Sequence, residues 1–347
     1  MALSAFLSVS VGLFASVVSA TSGTEFEELV DENVRRLKAG KGCARCYLTG
    51  AVLRGAILHK ANLRQVVMRN ADLRWAYLNE VDLHEADLTG SDLRGAWLEK
   101  NNLSGINLSR ADLDGASMSE ADLSGANLKS VYLSHAILSG ADLRKAHLGD
   151  ADLSMTDLSS ANLTMAYLRK ANFSDANLDG AILNYALARG ASFNGANLNG
   201  VKLRHADLSS ADLTKANLRK ANFSHANLDG AILNYALARG ANFSGANLNG
   251  VELRHADLSS ADLTRANLRK ANFSHANLNG AILSYALMRG ANFSGANLNG
   301  VDLRHADLAD VNLTGTDLSG LELSPDHLVA AVLCRTLTRW GEQNSGC

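Results

Sequence analysis

Three arginines stand twenty residues apart, at Arg54, Arg74 and Arg94, with Trp75 beside the middle one. If the fold stacks that interval, like charges gather on one face and need compensation. A phosphate, sulfate or acidic sugar would supply it, because the planar guanidinium fork makes paired charge-assisted hydrogen bonds. Asp72 and Asp92, each two residues before an arginine, would also supply it, and solvated arginines splayed apart are the plainer expectation. Trp75 adds a stacking surface, so Arg54, Arg74, Arg94 and Trp75 form the candidate anion-binding set. A second chemistry-bearing stretch is Cys43-Ala44-Arg45-Cys46. Such spacing serves zinc, redox chemistry or a disulfide. No His or Cys partner lies nearby, and nothing around it resembles a thioredoxin context. Tyr185, His205 and His225, then Tyr235, His255 and His275, then Tyr285 and His305, also recur at intervals of twenty. Stacked imidazoles can hold a metal, but carboxylates are lacking at that register, and solvated decoration is the expectation. No nucleophile–base or acid pair stands out. The chain is therefore expected to be no enzyme, with no catalytic residue, no cofactor and no metal site.

The element that must position these residues is a period of five. An apolar residue occupies every position ending in 3 or 8 from Leu48 to Leu323, and a small one, usually Ala, stands two places before it. A helix turns about 100° per residue, so leucines five apart would spiral around it. In a straight strand an odd step sends them to opposite faces. The pattern works only if the chain turns a corner in every unit. Ala and Leu then point inward from a three-residue strand, with Asp or Asn outward between them. Short strands joined by regular corners wind into a solenoid.

The run of Ala-Asp-Leu-Ser-Gly and Ala-Asn-Leu-Arg-Lys units resembles the pentapeptide-repeat family, in an exported bacterial type with Cys-containing caps. The resemblance implies an all-β solenoid: a right-handed quadrilateral β-helix of four units, or twenty residues, per coil. Residues 48–323 then make about 14 coils and a rod of about 67 Å, at about 4.8 Å per coil. Residues twenty apart stack. A longer repeat is superimposed, since Leu168-Arg169-Lys170-Ala171-Asn172-Phe173 returns at 218–223 and 268–273. A step of fifty is two and a half coils, so successive copies face opposite ways.

Residues 1–20 carry an apolar run ending in Val18-Ser19-Ala20, which reads as a secretory signal despite the lack of Lys or Arg before Arg35. Thr24-Glu25-Phe26-Glu27 is a capping box, and Phe26, Leu29, Val30, Val34 and Leu37 predict an amphipathic helix over 25–38. Residues 21–47 thus form an N-terminal helical cap with its Cys pair. Ser324-Pro325-Asp326 predicts a helix start, and residues 324–347 form the C-terminal cap. Export favours disulfides, and the four cysteines divide into Cys43 with Cys46 and Cys334 with Cys347. Sequons such as Asn162-Leu-Thr164 arise from the repeat consensus and carry little weight.

These features predict an exported, non-enzymatic scaffold or protein-interaction rod, periplasmic, secreted or in a thylakoid lumen. Its expected partner is an unknown protein or an acidic ligand, or a second copy joined through one cap as a homodimer. It is not expected to be an integral membrane protein. The alternative is a DNA mimic that binds a nucleic-acid enzyme such as gyrase, as some cytosolic members of the family do. That reading wants an acidic surface, whereas the net charge is −2 and Arg169-Lys170, Arg219-Lys220 and Arg269-Lys270 are basic. Direct nucleic-acid binding is not expected. A β-helix enzyme such as a polysaccharide lyase would need long loops, which these units lack.

Overall fold

In the computed structural model the described residues are 23–347, so the expected signal over 1–20 lies outside them. Helix α1 spans Gly23–Lys38. It begins two residues before the expected start, so Thr24 lies within its first turn rather than at its cap. Val30 and Leu37 are buried, and Phe26 and Val34 pack against the same core. The apolar stripe of α1 thus covers the end of the repeats. Gly40 (φ 73°) ends the helical stretch in a left-handed conformation that costs glycine little.

From Cys43 onward each unit does the same thing. The small residue and the Leu or Phe two places later point inward, and nearly all are fully buried. The residue between them makes a parallel bridge to its counterparts twenty residues before and after, from Tyr47↔Val67 to Asn292↔Asn312. Four two-residue turns fall within each such interval. Each side of a coil is therefore a single bridged residue between inward neighbours, shorter than a ladder strand. The second turn residue is left-handed in every turn up to Gly315, in Trp75, His205 and Tyr285 as well as in glycines. Much of this unfavourable conformation is supported by side chains: the Asp or Asn on the flat side accepts a hydrogen bond from the N–H two residues on, as Asn172 does from Ser174 at 3.1 Å.

The stacked sides also bond to one another through side chains. Asn217 Nδ2 donates to Asn197 Oδ1 at 2.9 Å, Asn197 to Asn177, and Asn177 to Asp157, both at 3.0 Å. Inside, Phe173 and Phe193 stack at 4.8 Å, Phe223 and Phe243 at 4.9 Å, and Phe273 and Phe293 at 4.7 Å. Where a polar residue replaces the inward Ala, it finds partners. Asn101 donates to Leu78 O at 2.7 Å and accepts from Val81 N at 2.9 Å. This meets the requirement that buried polar groups be satisfied.

The carboxyl end differs from expectation. Regular turns stop at Gly320, and only a 3-10 turn over Pro325–Leu328 stands where a helix was predicted. The reason is that the chain re-enters the coil. Val332 bridges Asn312, and Leu337 bridges Asp317. Thr336 Oγ1 donates to Leu313 O at 2.9 Å, as Thr156 does to Leu133 O. Strands β1 (Thr336–Thr338) and β2 (Gly341–Gln343) then pair antiparallel. Between Gly320 and Val332 the chain leaves the stack, opening a cleft of about 750 Å³ lined by Leu303, Arg304, His305 and Leu321.

Candidate functional site

The corner carrying Arg54, Arg74 and Arg94 separates two flat sides. One is the bridged column Val52, Asp72, Asp92, Asp112; the other is Ile57, Tyr77, Trp97, Ser117. Twenty-residue stacking brings the three arginines into one column, and the acidic side then occupies two of them. Arg74 donates from Nε and Nη2 to the two oxygens of Asp72 at 2.8 and 2.6 Å, and its Nε lies 3.5 Å from Asp92. Arg94 grips Asp92 in the same way at 2.9 and 2.6 Å and lies 3.4 Å from Asp112. The sequence offered an acidic ligand or neighbouring aspartates as compensation, and the geometry supplies the aspartates. Asp112, twenty residues after Asp92 and bridged to it, extends the acidic column by one rung.

Arg54 differs because Val52 stands where an aspartate would. Among the described residues no carboxylate lies within 4.0 Å of it. Trp75 is 55 % exposed, and its ring covers Gly95, where an added Cβ would meet it at 2.7 Å. Tyr77 and Trp97 stack on the adjacent side with centroids 5.7 Å apart, and Ile57 below them is exposed. The corner thus joins a neutralised charge ladder to an exposed apolar side.

The hydrogen bond from Arg74 holds the Asp72 carboxyl below its ordinary value, and Arg94 does the same for Asp92. A depressed carboxyl contributes stability that is present above its unfolded value and lost as pH falls through the folded one. These pairs therefore weaken on the acid side, below about pH 4.

The cysteines are joined as Cys43–Cys46 and Cys334–Cys347. Each bond sits at one end of the repeats, and no cysteine is free for metal or redox work. The histidine columns stack as spaced: Tyr185, His205 and His225 at 5.0 and 5.1 Å, and Tyr235, His255 and His275 at 5.1 Å each. Among the described residues no group of three or more His, Cys, Asp or Glu is gathered for a metal. No helix among them is long and apolar enough to cross a membrane.

The family model for pentapeptide repeats matches the chain in overlapping and adjoining segments between residues 43 and 323. The chain belongs to the pentapeptide repeat family. This pentapeptide repeat protein is similar to HetL from the cyanobacterium Nostoc sp. strain PCC 7120, a pentapeptide repeat protein involved in heterocyst differentiation regulation. The two are 33% identical over 61% of this chain and 89% of that one, with a TM-score of 0.47. A pentapeptide repeat protein from the thylakoid lumen of Arabidopsis thaliana is 39% identical over 30% of this chain and 68% of its own, with a TM-score of 0.20. QnrB1, a plasmid-mediated fluoroquinolone resistance protein, is 21% identical over 66% and 90%, with a TM-score of 0.16. A comparison with curated protein sequences gave no match.

Proposed function

We propose that the chain is an exported, non-enzymatic binding rod that meets a protein partner through the corner around Trp97. In that reading residues 1–20 are a signal removed before Thr21. Residues 21–47 and 324–347 close the ends, and 48–323 form the right-handed quadrilateral β-helix. The observation that carries the binding role is the apolar side Ile57, Tyr77 and Trp97 with Trp75 at its edge, all more than two-fifths exposed on a backbone bridged at every coil. Aromatic side chains fixed on a rigid frame lose little freedom when a partner covers them. The two disulfides support an oxidising compartment. A mimic of duplex DNA would need uncompensated carboxylates along the rod, whereas Arg74 and Arg94 cancel those at this corner. Arg54 is the one rung left for an acidic group of the partner. A second copy would find the open cleft beside Leu303 and Leu321 at the carboxyl cap.

One purification from the native host tests both halves. The intact mass of the exported protein is expected to correspond to a chain beginning at Thr21. Proteins captured by the wild type are expected to be lost with Trp97→Ala and retained with Lys145→Ala, an exposed residue on the opposite corner. Retention of Met1 in an exported fraction contradicts export by a cleaved signal, and capture unchanged in Trp97→Ala contradicts the binding corner.

A further inference from the structure

The fifty-residue repeat places one exposed group of side chains on the rod three times. In the first copy a single coil carries Ile182 on one side, Tyr185 at the corner, Leu187 on the next side and Arg189 at the next corner. The second carries Ile232, Tyr235, Leu237 and Arg239, and the third Ile282, Tyr285, Leu287 and Arg289. Tyr185, Tyr235 and Tyr285 are 50%, 53% and 49% exposed, so each ring offers about half its surface to a partner. Their orientation is fixed from one side by stacking on His205, His255 and His305. Arg265 also lies 5.6 Å from the ring of Tyr285. One coil below each arginine stands an Arg-Lys pair, and Lys170, Lys220 and Lys270 donate from their backbone N–H to Arg189 O, Arg239 O and Arg289 O at 3.1 Å.

The charge at these stations is left open. Among the described residues no carboxylate lies within 4.0 Å of Arg169, Lys170, Arg189, Arg219, Lys220 or Arg239. The nearest acidic side chains on the Leu side, Asp207 and Asp257, already accept from Ser209 N and Asn227, and from Ser259 N and Asn277. Only the third station has its arginine taken, by Asp310 at 3.0 Å. Each station therefore sets an Ile–Tyr–Leu apolar strip beside a cationic trio.

The duplication carries this group through all three copies, while a few residues beside it vary. The residue directly above the Ile is Lys202, then Glu252, then Asp302, a reversal of charge. At the matching turn position the first copy has Asp175 where the other two have His225 and His275. Ile, Tyr, Leu, both arginines and the lysine are unchanged; Ile182 is half-buried, and the other Ile, Tyr and Leu side chains are more than a third exposed.

We infer that the three stations are docking sites for short acidic protein segments carrying aliphatic or aromatic anchors, the third weakened by the Arg289–Asp310 pair. The anchors would cover the Ile–Tyr–Leu strip, and the carboxylates would pair with the basic trio. The arrangement around the rod favours separate segments over a lipid surface. Leu187 and Leu287 share one column, five bridges apart and so about 24 Å along the axis, whereas Leu237 lies on the opposite side. A flat membrane reaches one side only. This inference rests on the binding-rod reading and names additional sites for it.

The test selects random twelve-residue peptides displayed on phage against the full disulfide-bonded protein, then titrates the best synthetic peptide by calorimetry. Selected peptides are expected to combine several Asp or Glu with Leu, Ile, Phe or Trp. Two sites of matching affinity and a weaker third are expected per chain. Tyr235→Ala with Arg239→Ala should remove one strong site and leave the others, and raising salt from 50 to 500 mM should weaken binding by about tenfold or more. All substituted residues are exposed, and unchanged melting confirms that the fold survives. Selected peptides that ignore the Tyr235 and Arg239 substitutions but are lost with Trp97→Ala overturn the stations while leaving the binding rod in place. Failure to select any peptide overturns the stations, and a capture experiment that is still Trp97-dependent then keeps the rod. Binding to phosphatidylglycerol vesicles, lost on Tyr185→Ala with Tyr285→Ala, with no acidic peptide selected, assigns the patches to lipid and overturns the inference.

Discussion

Replacing Phe223 by alanine is expected to destabilise the middle of the rod by about 3–5 kcal/mol, the range for emptying a buried aromatic site. Phe223 is fully buried, and its ring stacks on Phe243 at 4.9 Å. The site cannot collapse readily, because its coil is held by bridges to the coils on both sides, Asn222 pairing with Lys202 and with Asn242. Each repeat contacts only its neighbours, so the loss should be local before it is global. Hydrogen exchange is the appropriate measurement. Amides between residues 203 and 243 should exchange at least about 100-fold faster, since each 1.4 kcal/mol is a factor of ten. Those near Leu73 should be unaffected. A uniform change along the whole chain would contradict nearest-neighbour stacking.

The second large effect is expected at the carboxyl cap. Cys334 and Cys347 are thirteen residues apart, and a cross-link closing a loop of that size contributes about 3 kcal/mol in the chain-entropy account. What it secures is the re-entering segment: Gly346 N donates to Leu333 O, and Val332 and Leu337 cover the sides at Asn312 and Asp317. Cys334→Ala with Cys347→Ala should therefore expose the edge of the last coil. Protection of amides 311–318 should fall first, and apolar dye binding and concentration-dependent aggregation should rise, as unpaired edges invite. The Cys43–Cys46 bond closes a much shorter loop, so Cys43→Ala with Cys46→Ala should have a smaller effect. Equal effects at the two ends would contradict this ordering.

The inward positions were legible because a period of five admits one solution. Leu48, Leu73 and Phe193 could be placed inside before any coordinates. The number of sides per coil was not legible in the period and came from the family resemblance. The arginine corner was half legible. Spacing put Arg54, Arg74 and Arg94 in one column, but the two-residue offset that lets Arg74 fold back on Asp72 depends on the turn geometry. The carboxyl end misled the reading because Pro325 and the apolar run Leu328–Leu333 mimic a helix start. The contrary signal was the final digits. Ala331, Leu333, Thr336 and Thr338 keep the inward numbering, with threonines in places where Ala and Leu usually stand. Thr336 tolerates burial because its hydroxyl reaches Leu313 O. The Ile–Tyr–Leu–Arg stations were hidden for another reason: their members lie two or three apart in sequence, and only the corners bring them onto one ridge.

Everything above depends on residues twenty apart lying side by side. Strands in contact are about 4.8 Å apart, within reach of a disulfide. Cysteines should be placed at Ser117 and Ile137, which the structure bridges, and in parallel at Ser117 with Tyr132 and at Ser117 with Asn127. Mild oxidation followed by non-reducing peptide mapping is expected to join the pair at 117 and 137 nearly completely and the other two hardly at all. A bond between 117 and 132 would mean a coil of three units, and failure of the 117–137 pair to form would remove the stacked corners on which the binding surfaces rest.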